Sequence, residues 1–211
     1  MILLVTHSHE TIRRYDHPNL GRLIQPRHTP RAAATAAAGY EWAADNDAFG
    51  GFGPEEVERY IRMLDLLSGL PGCRFVTVPD VVGDHAATLD LFGEWIDELH
   101  RRGLPAALVL QDGIPGPEAV PWDQIEAVFV GGSTEFKLGE LAREIVGEAT
   151  ARGKWIHVGR VNSLRRIAYA KSIGANSIDG SSFSKFGDVQ IPKALAAVVQ
   201  GPQLRLSDVA G

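Results

Sequence analysis

Cysteine is nearly absent from this sequence. The chain of 211 residues contains one, Cys73, in an otherwise ordinary globular composition with 45% hydrophobic and 22% charged residues. A single thiol cannot form a disulfide within the chain, and it excludes the zinc sites that are built from several cysteines. The length is enough for one domain with a substantial core, and we expect a single domain over residues 1–211 with a poorly anchored tail after about residue 201.

Long hydrophobic runs are also missing. No apolar segment approaches the ~18 residues that a transmembrane helix needs. The first five residues are apolar, but His7, His9 and Glu10 follow at once, without the charged start and small-residue cleavage site of a signal peptide. We therefore expect a cytoplasmic protein with no membrane partner.

Positive charge is scarce overall but unevenly distributed. The formal net charge is −5. Residues 149–178 carry six cations and no acid, and residues 10–31 carry five arginines against two acids. This asymmetry predicts a basic face for a polyanion, in which Arg160, Arg165 and Arg166 are the candidate nucleic-acid-binding residues. Ordinary solvated helix surface is the alternative.

Short β-rich runs alternate with longer helical patterns. The predicted strands are residues 2–5, 41–44, 74–78, 106–110, 127–130, 155–158 and 176–178. Several are continuous apolar runs, which is typical of parallel strands buried on both faces. Helices are predicted from Pro54 to about 68, over 84–102, over 136–152 and from Ser163 to Gly174.

This alternation predicts an α/β fold with right-handed crossovers between parallel strands. A TIM-like (β/α) barrel, compact and in part irregular, fits better than an open doubly wound sheet, because no glycine-rich fingerprint follows the first strand. Seven strands are visible and the eighth is uncertain. Polar residues follow almost every strand, so the active site is expected at the carboxyl ends of the strands.

Asp45 and Asp179 are the strongest candidates for catalysis. Each follows a predicted strand and precedes a turn of small residues. Two carboxylates that face one pocket suit glycosidic-bond chemistry, in which one attacks the sugar carbon and the other carries a proton. Alternatively, either aspartate caps a turn or a helix.

Further candidates could hold a ligand. The backbone N–H groups of Gly131 and Gly132 follow a strand and could donate to a carbonyl or a phosphate. Asp80 and Gln111 offer the acceptors and donors that read the edge of a flat heterocycle. A tight turn and ordinary loop polarity are the alternatives.

The pair His7 and His9 raises a competing hypothesis. A His-x-His pair after the first strand of a barrel is the usual start of a binuclear metal hydrolase site. His157 and Asp179 could add ligands, but no histidine or lysine is suitably placed after the fourth and fifth strands. We therefore predict neither a metal nor another cofactor, and keep the metal hydrolase as an alternative.

The strand ends, taken in order, resemble the tRNA-guanine transglycosylase superfamily, whose barrel enzymes exchange guanine in a nucleic acid for a 7-deazaguanine. The run Asp45-Asn46-Asp47-Ala48-Phe49 is similar to the family's Asp-Ser-Gly-Gly-Phe motif, in which the flanking aspartate and phenylalanine have the same spacing. The run Leu110-Gln111-Asp112-Gly113 is similar to its Val-Gln-Gly-Gly segment. The C-terminal part has a matching order, with Gly159, Gly174 and Asp179, and Lys185 six residues later.

The resemblance implies roles for these positions. Asp179 would be the nucleophile and Asp45 the proton carrier. Phe49 would stack on the base, while Asp80, Gln111, Gly131 and Gly132 would hold it. Lys185 would contact a backbone phosphate.

The family's zinc-binding cysteines are absent, and the chain looks most like the branch that inserts 7-deazaguanines into DNA in phages and bacteria. The expected partners are DNA, with tRNA less favoured, a 7-deazaguanine base and, in a homodimer, a second copy. The implied function is base exchange through a covalent aspartyl–sugar intermediate in a bacterial or phage-infected cell. The alternatives are tRNA base exchange, the metal hydrolase and a non-catalytic nucleic-acid-binding subunit.

Overall fold

A closed barrel of eight parallel strands forms the centre of the computed structural model, which describes residues 1–6, 9–28, 33–36, 38–47 and 51–200. The strands pair in chain order, and the last closes on the first. They are β1 (Ile2–Val5), β2 (Leu20–Ile24), β3 (Trp42–Ala44), β4 (Cys73–Thr77), β5 (Ala106–Leu110), β6 (Ala127–Val130), β7 (Trp155–Val158) and β8 (Ser177–Ile178). The predicted (β/α) barrel is confirmed.

Helices follow the strands around the outside of the barrel. They are α1 (His9–Tyr15), α2 (Pro54–Leu67), α3 (His85–His100), α4 (Thr134–Leu138), α5 (Glu140–Ala151), α6 (Leu164–Ser172), α7 (Ser181–Lys185) and α8 (Gly187–Val199). Single 3-10 turns occur at Pro26–His28, Pro117–Ala119 and Trp122–Gln124.

Local capping fixes where several helices begin. The Asp84 carboxylate accepts the N–H of Ala87 at the start of α3, and the Ser163 hydroxyl accepts the N–H of Arg166 at the start of α6. Both starts agree with the predicted ones. The single helix predicted over 136–152 is instead two helices, because the backbone of Gly139 is extended and separates α4 from α5.

The strand β2 is the one that the sequence pattern does not predict. Its five residues are all buried, although Arg22 stands at its centre. Arg22 is 3% exposed, and its guanidinium donates to the Thr35 hydroxyl at 2.8 Å. A charge in the middle of a short run hides the apolar pattern of a strand, which is why the eighth strand is uncertain from sequence.

Two separate hydrophobic clusters hold the fold together. Alternate strand residues point into the barrel and form an inner cluster of Leu4, Leu23, Ala43, Phe75, Ala107, Val109, Ala127 and Phe129. The intervening strand residues pack against the helices in a larger outer cluster. This division follows from the two-residue period of a strand that is buried on both faces.

The barrel is irregular between β3 and β4. Their pairing shifts register between Trp42 and Ala44. The Trp42 side chain is buried here, and its indole N–H donates to the carbonyl of Pro71 at 2.7 Å. The irregularity lies immediately before Asp45.

Within the described part of the chain, no helix has both the length and the hydrophobicity needed to cross a bilayer. The tail predicted to be poorly anchored after about residue 201 lies outside the described residues.

His157 is a titratable group inside the barrel. It is fully buried between Phe75 and Phe129, and its Nδ1 lies 2.9 Å from the Ser177 hydroxyl. Burial, reinforced by the charge of Lys137, lowers the pKa of His157 to about 3. The imidazole is therefore neutral in the folded protein at every pH at which an unfolded histidine begins to protonate.

This difference predicts a pH-dependent stability. Below pH 6.5 the unfolded chain takes up a proton at residue 157 and the folded chain does not, so acid lowers the free energy of unfolding by about 1.4 kcal/mol per pH unit. His157→Gln removes this dependence. In urea unfolding, the free energy of unfolding of wild type should fall relative to that of the variant as the pH is lowered from about 6.5 to about 4.5.

His28→Gln is the matched control, because His28 is exposed and should leave the pH dependence unchanged. A gap between wild type and His157→Gln that stays constant over this pH range would show that His157 protonates in the folded state.

Candidate functional site

An open cavity of about 380 Å³ lies at the carboxyl ends of the strands. It brings together seven of the residues predicted from sequence, namely Asp45, Asp80, Gln111, Gly131, Arg160, Asp179 and Lys185. Gly132 and Arg166 line a neighbouring cavity, whereas Arg165 is exposed and lines neither. Phe49 lies outside the described residues.

Asp45 follows β3 and is held in place by the barrel. Its backbone N–H donates to the carbonyl of Ile24 at 2.8 Å, which extends the β2–β3 pairing by one residue. Its carboxyl opens on the cavity but is otherwise surrounded by protein. Burial raises the pKa of Asp45 to about 7, with further contributions from the negative charges of Asp179, Asp80 and Asp47. This carboxyl can therefore both accept and donate a proton near neutral pH.

Asp179 follows β8 on the other side of the same cavity. Its carboxylate accepts the backbone N–H of Arg160, which ties the ends of β7 and β8 together. Burial raises the pKa of Asp179, whereas this hydrogen bond and the charges of Lys137 and Arg160 oppose the rise. The cavity thus presents two carboxyl groups in different surroundings.

Asp80 belongs to a buried network of amides. Its two carboxylate oxygens accept from Asn46 Nδ2 at 2.8 Å and from Gln111 Nε2 at 2.6 Å. The side-chain oxygen of Gln111, Oε1, in turn accepts a hydrogen bond from the N–H of Gly83 at 2.9 Å. Burial raises the pKa of Asp80, and the two amide hydrogen bonds and Arg160 oppose it. Asp80 and Gln111 therefore hold each other, and they offer a ligand only their remaining donors and acceptors.

In the turn after β6, the N–H groups of Gly131 and Gly132 were predicted to donate to a ligand, and the structure differs for Gly131. The N–H of Gly131 donates to the carbonyl of Leu110 at 3.1 Å, so the barrel uses this donor itself. Gly132 has a φ of 69° and a Cβ there would meet Asp112 Oδ2 at 2.6 Å, so the position favours glycine. Both carboxylate oxygens of Asp112 bind Ser133, at its N–H and at its hydroxyl. The β5 and β6 loops are therefore locked together.

Arg160 occupies a strained position beside Asp179. Its φ of 59° is in the left-handed region, which costs a residue with a side chain about 1–2 kcal/mol. Its N–H donates to Asp179, and its guanidinium donates to the carbonyl of Gly132 at 2.9 Å. Strain of this kind is often found at functional sites, where the surrounding contacts maintain it.

Lys185 lies at the end of α7 and lines the cavity with Gly180 and Ser181. The loops on this side are joined by Asn162, whose side-chain oxygen accepts the N–H of Ser182 at 2.9 Å. Among the described residues that line this cavity, Lys185 and Arg160 are the cations, and the other charged side chains are aspartates.

Several cations of the two basic sequence windows are buried or paired with acids. In the N-terminal window, Arg22 is buried, Arg14 pairs with Asp188 and Arg27 pairs with Asp47. In the C-terminal window, Arg152 pairs with Glu148. DNA binding through Arg160, Arg165 and Arg166 stays a prediction.

The described residues contain no group of three or more histidines, cysteines or acids that could hold a metal ion. His157, a candidate metal ligand from sequence, is enclosed within the barrel between two aromatic rings. His7 and the side chain of His9 lie outside the described residues.

Two site residues were missed in the sequence. Asn46 is 3% exposed and holds Asp80, but an asparagine beside two aspartates is typical of a turn. Lys137 is 7% exposed although it lies on a short helix, where a lysine is ordinarily solvated. The available signal was its position in the short helix that follows the glycine pair after β6.

Comparison with known proteins identifies a fold and no family. No family model matches the chain, and no curated protein matches it either. Among solved structures, 3-hexulose-6-phosphate synthase from Salmonella typhimurium is similar with a TM-score of 0.58 and 15% identity. The match covers 95% of this chain and 99% of that chain. At this identity the likeness establishes the barrel fold.

The predicted membership of the tRNA-guanine transglycosylase superfamily is wrong, and so is the predicted function of base exchange in DNA or tRNA. A solved structure that the barrel resembles is a synthase of another family, and no family model matches the chain. The physical reason lies in the motifs. Aspartate, glycine and serine recur at strand ends of any parallel barrel, because they form tight turns and caps, so their order along the chain is weak evidence of kinship.

The burial of Asp45 predicts that it destabilises the fold at high pH. Its pKa is about 3.8 when unfolded and about 7 when folded, so ionisation above pH 4 favours the unfolded chain, and stability falls as the pH rises to about 7. Asp45→Asn cannot ionise. It should be more stable than wild type at pH 8 by up to a few kcal/mol and nearly equal at pH 4.

Urea unfolding at the two pH values measures this difference. Asp90→Asn serves as the control. Because Asp90 is exposed on α3, this substitution should have the same small effect on the free energy of unfolding at both pH values. If Asp45→Asn were less stable than wild type at pH 8, Asp45 would be ionised and well solvated in the folded protein.

Proposed function

We propose that this protein is an enzyme that transfers protons to and from a carbon atom of a small carbonyl compound bound at the barrel mouth. The observation that carries the proposal is Asp45, a carboxyl group with a pKa of about 7 that opens on a cavity of about 380 Å³. General acid–base catalysis is most efficient when the pKa of the group lies near the working pH. A cavity of this size suits a small metabolite.

In the proposed step, the Asp45 carboxylate removes a proton from the carbon next to the substrate carbonyl. The C–H electron pair moves into the adjoining bond, and the carbonyl oxygen becomes an enolate oxygen. Arg160 and Lys185 border the cavity and provide positive charge for that oxygen. The protonated Asp45 then returns the proton to carbon. Alternatively, the enolate carbon bonds to the carbon of a second carbonyl, and Asp45 gives its proton to the alkoxide oxygen that this addition forms.

The neighbouring carboxylates support this role of Asp45. The negative charges of Asp179 and Asp80 raise its pKa, which makes it a stronger base once it is ionised. Asp80 is fixed by two amides and Asp179 by the Arg160 N–H. We propose that these two groups orient the substrate hydroxyls as acceptors and leave proton transfer to Asp45.

The similar solved structure guides the choice of compounds to test. Its name describes a synthase of a hexulose phosphate, a keto-sugar that carries a phosphate. We therefore propose keto- and aldo-sugars, with and without a terminal phosphate, as the first substrate panel.

Solvent exchange tests the proposal whatever product the enzyme finally releases. The protein is incubated with each compound in deuterated water, and proton NMR follows the loss of the C–H signal next to the carbonyl. At least one compound should lose this signal with wild type. Asp45→Asn should slow the exchange by about 10²–10⁴-fold, the usual contribution of a general base.

Asp90→Asn should exchange at the wild-type rate, because its carboxylate does not belong to the cavity lining. The exchange rate with wild type should rise with pH and level off above about 7, since the base must be ionised. Exchange that is equally fast in Asp45→Asn, or absent with the whole panel, would contradict the proposal and favour a binding role for the cavity.

A further inference from the structure

A second cavity of about 410 Å³ lies beside the first and is lined by the loops that follow β4, β5, β6 and β7. Arg160 and Val82 line both cavities, so the two are adjacent at the barrel mouth. The charged residues that line the first cavity are four aspartates and two cations, whereas those that line the second are three cations, Lys137, Arg160 and Arg166, and one acid, Asp112. We call this second space the cationic cavity.

The cations of this cavity are held by neutral oxygens. Lys137 Nζ lies 3.3 Å from the carbonyl of Gly159, and Arg166 donates to the carbonyl of Arg160 at 3.3 Å and to the Thr134 hydroxyl at 3.2 Å. Neither Lys137 nor Arg166 forms a salt bridge with any residue of the described chain. Two neighbouring cations without an ionic partner leave net positive charge in this space.

The acid that lines the cationic cavity does not neutralise it fully. Asp112 binds the Ser133 N–H at 2.7 Å and the Ser133 hydroxyl at 2.6 Å, one with each oxygen. Its charge, with that of Asp179, acts on Lys137 in a stabilising direction, but burial and the charges of Arg160 and Arg166 outweigh it and lower the pKa of Lys137 to about 8.

Lys137 is the least expected member of the cluster. Lysine is almost never buried to this degree without a charged partner, yet Lys137 is 7% exposed. Burial of an unpaired ammonium beside two guanidinium groups is unfavourable, and a bound anion would relieve both the burial and the repulsion. The cluster is therefore arranged for an anion.

A tetrahedral phosphate suits these donors. Arginine presents a planar fork that binds two phosphate oxygens, and lysine adds a compact point charge. The three side chains come from α4, the β7 loop and α6, so they approach the cavity from different elements. A site of this kind holds one small charged group.

From this arrangement we infer that the cationic cavity binds the phosphate group of a small phosphorylated substrate, whose reacting part lies in the carboxylate cavity next to it. The inference rests on the proposed function for the reacting part. The binding of phosphate itself does not depend on that function. Arg160, which borders both cavities, would then lie between the phosphate and the reacting carbon.

A small phosphate ester is favoured over a polynucleotide. Nucleic-acid backbones are bound by several exposed cations along a surface. Here the surface arginines Arg14 and Arg27 of the N-terminal window pair with acids, and Arg165 lies outside the cationic cavity. The cations of the cationic cavity instead converge on one space.

Isothermal titration with inorganic phosphate tests the site directly. Wild type should bind one phosphate per chain. Arg166→Gln and Lys137→Met should each weaken binding by roughly tenfold to a hundredfold, the usual effect of losing a charged hydrogen bond. Arg165→Gln is the matched control, since it removes the same charge one residue away, and it should change the affinity less than about twofold.

Arg166 is partly exposed, so Arg166→Gln should fold even if the buried Lys137→Met does not, and circular dichroism of each variant checks this. Asp45→Asn should keep wild-type phosphate affinity. Absence of proton exchange by wild type, with its phosphate binding intact, would count against the proposed function alone. Absence of phosphate binding, or equal weakening by Arg165→Gln and Arg166→Gln, would overturn the phosphate site.

A parallel titration uses a short single-stranded oligonucleotide. Under the small-phosphate assignment it should bind no more tightly than inorganic phosphate. Tight oligonucleotide binding with a steep salt dependence, weakened equally by Arg165→Gln, would overturn that assignment in favour of a polynucleotide.

Discussion

Desolvation of carboxyl groups at the rim of the barrel is the constraint on which the site depends. A closed parallel barrel directs the carboxyl ends of its strands to one side, and aspartates follow β3, β4 and β8 there. Burial is the largest cause of the raised pKa of Asp45, Asp80 and Asp179 alike. A buried carboxylate is unfavourable unless it is paired or hydrogen-bonded. The surrounding structure can be understood as the set of contacts that makes three such groups tolerable in one cavity.

Those contacts differ from one aspartate to the next. Asp80 is fixed by two amides, and Asp179 by a backbone N–H whose residue is held at an unfavourable φ. Asp45 is assisted by a backbone hydrogen bond from Asp47, but it also feels the charge of the other two. Because its neighbours are the better stabilised groups, Asp45 is the one poised to exchange a proton near neutral pH.

Arg160 opposes the rise in pKa of both Asp80 and Asp179, and it also lowers the pKa of Lys137. A substrate with an anionic end and a neutral reacting end would match that division of charge.

Much of the barrel could be predicted from the sequence, because buried parallel strands are continuous apolar runs and strand ends carry polar residues. Asp45 and Asp179 were found in this way. The strand β2 was missed because Arg22 interrupts its apolar pattern, and only the fold provides the Thr35 hydroxyl that receives it. The sequence analysis assigns the Gly131 N–H to a ligand, because the sequence cannot show that the Leu110 carbonyl accepts it.

The family and the cationic cavity were harder to predict. Turn-forming residues at the strand ends suggested a transglycosylase, although these residues stabilise the barrel itself. The cationic cluster exists only once the fold brings Lys137, which lies outside the windows rich in arginine, near Arg166.

The pKa of Asp45, measured by NMR from the side-chain carboxyl carbon in wild type and in Asp179→Asn, is the most direct test of its role in proton transfer. We expect a midpoint near 7 in wild type and a lower midpoint in the variant, because the charge of Asp179 contributes to the shift. A midpoint close to the ordinary value of 3.8 in wild type would contradict this role, since Asp45 would then be a solvated carboxylate without a part in proton transfer.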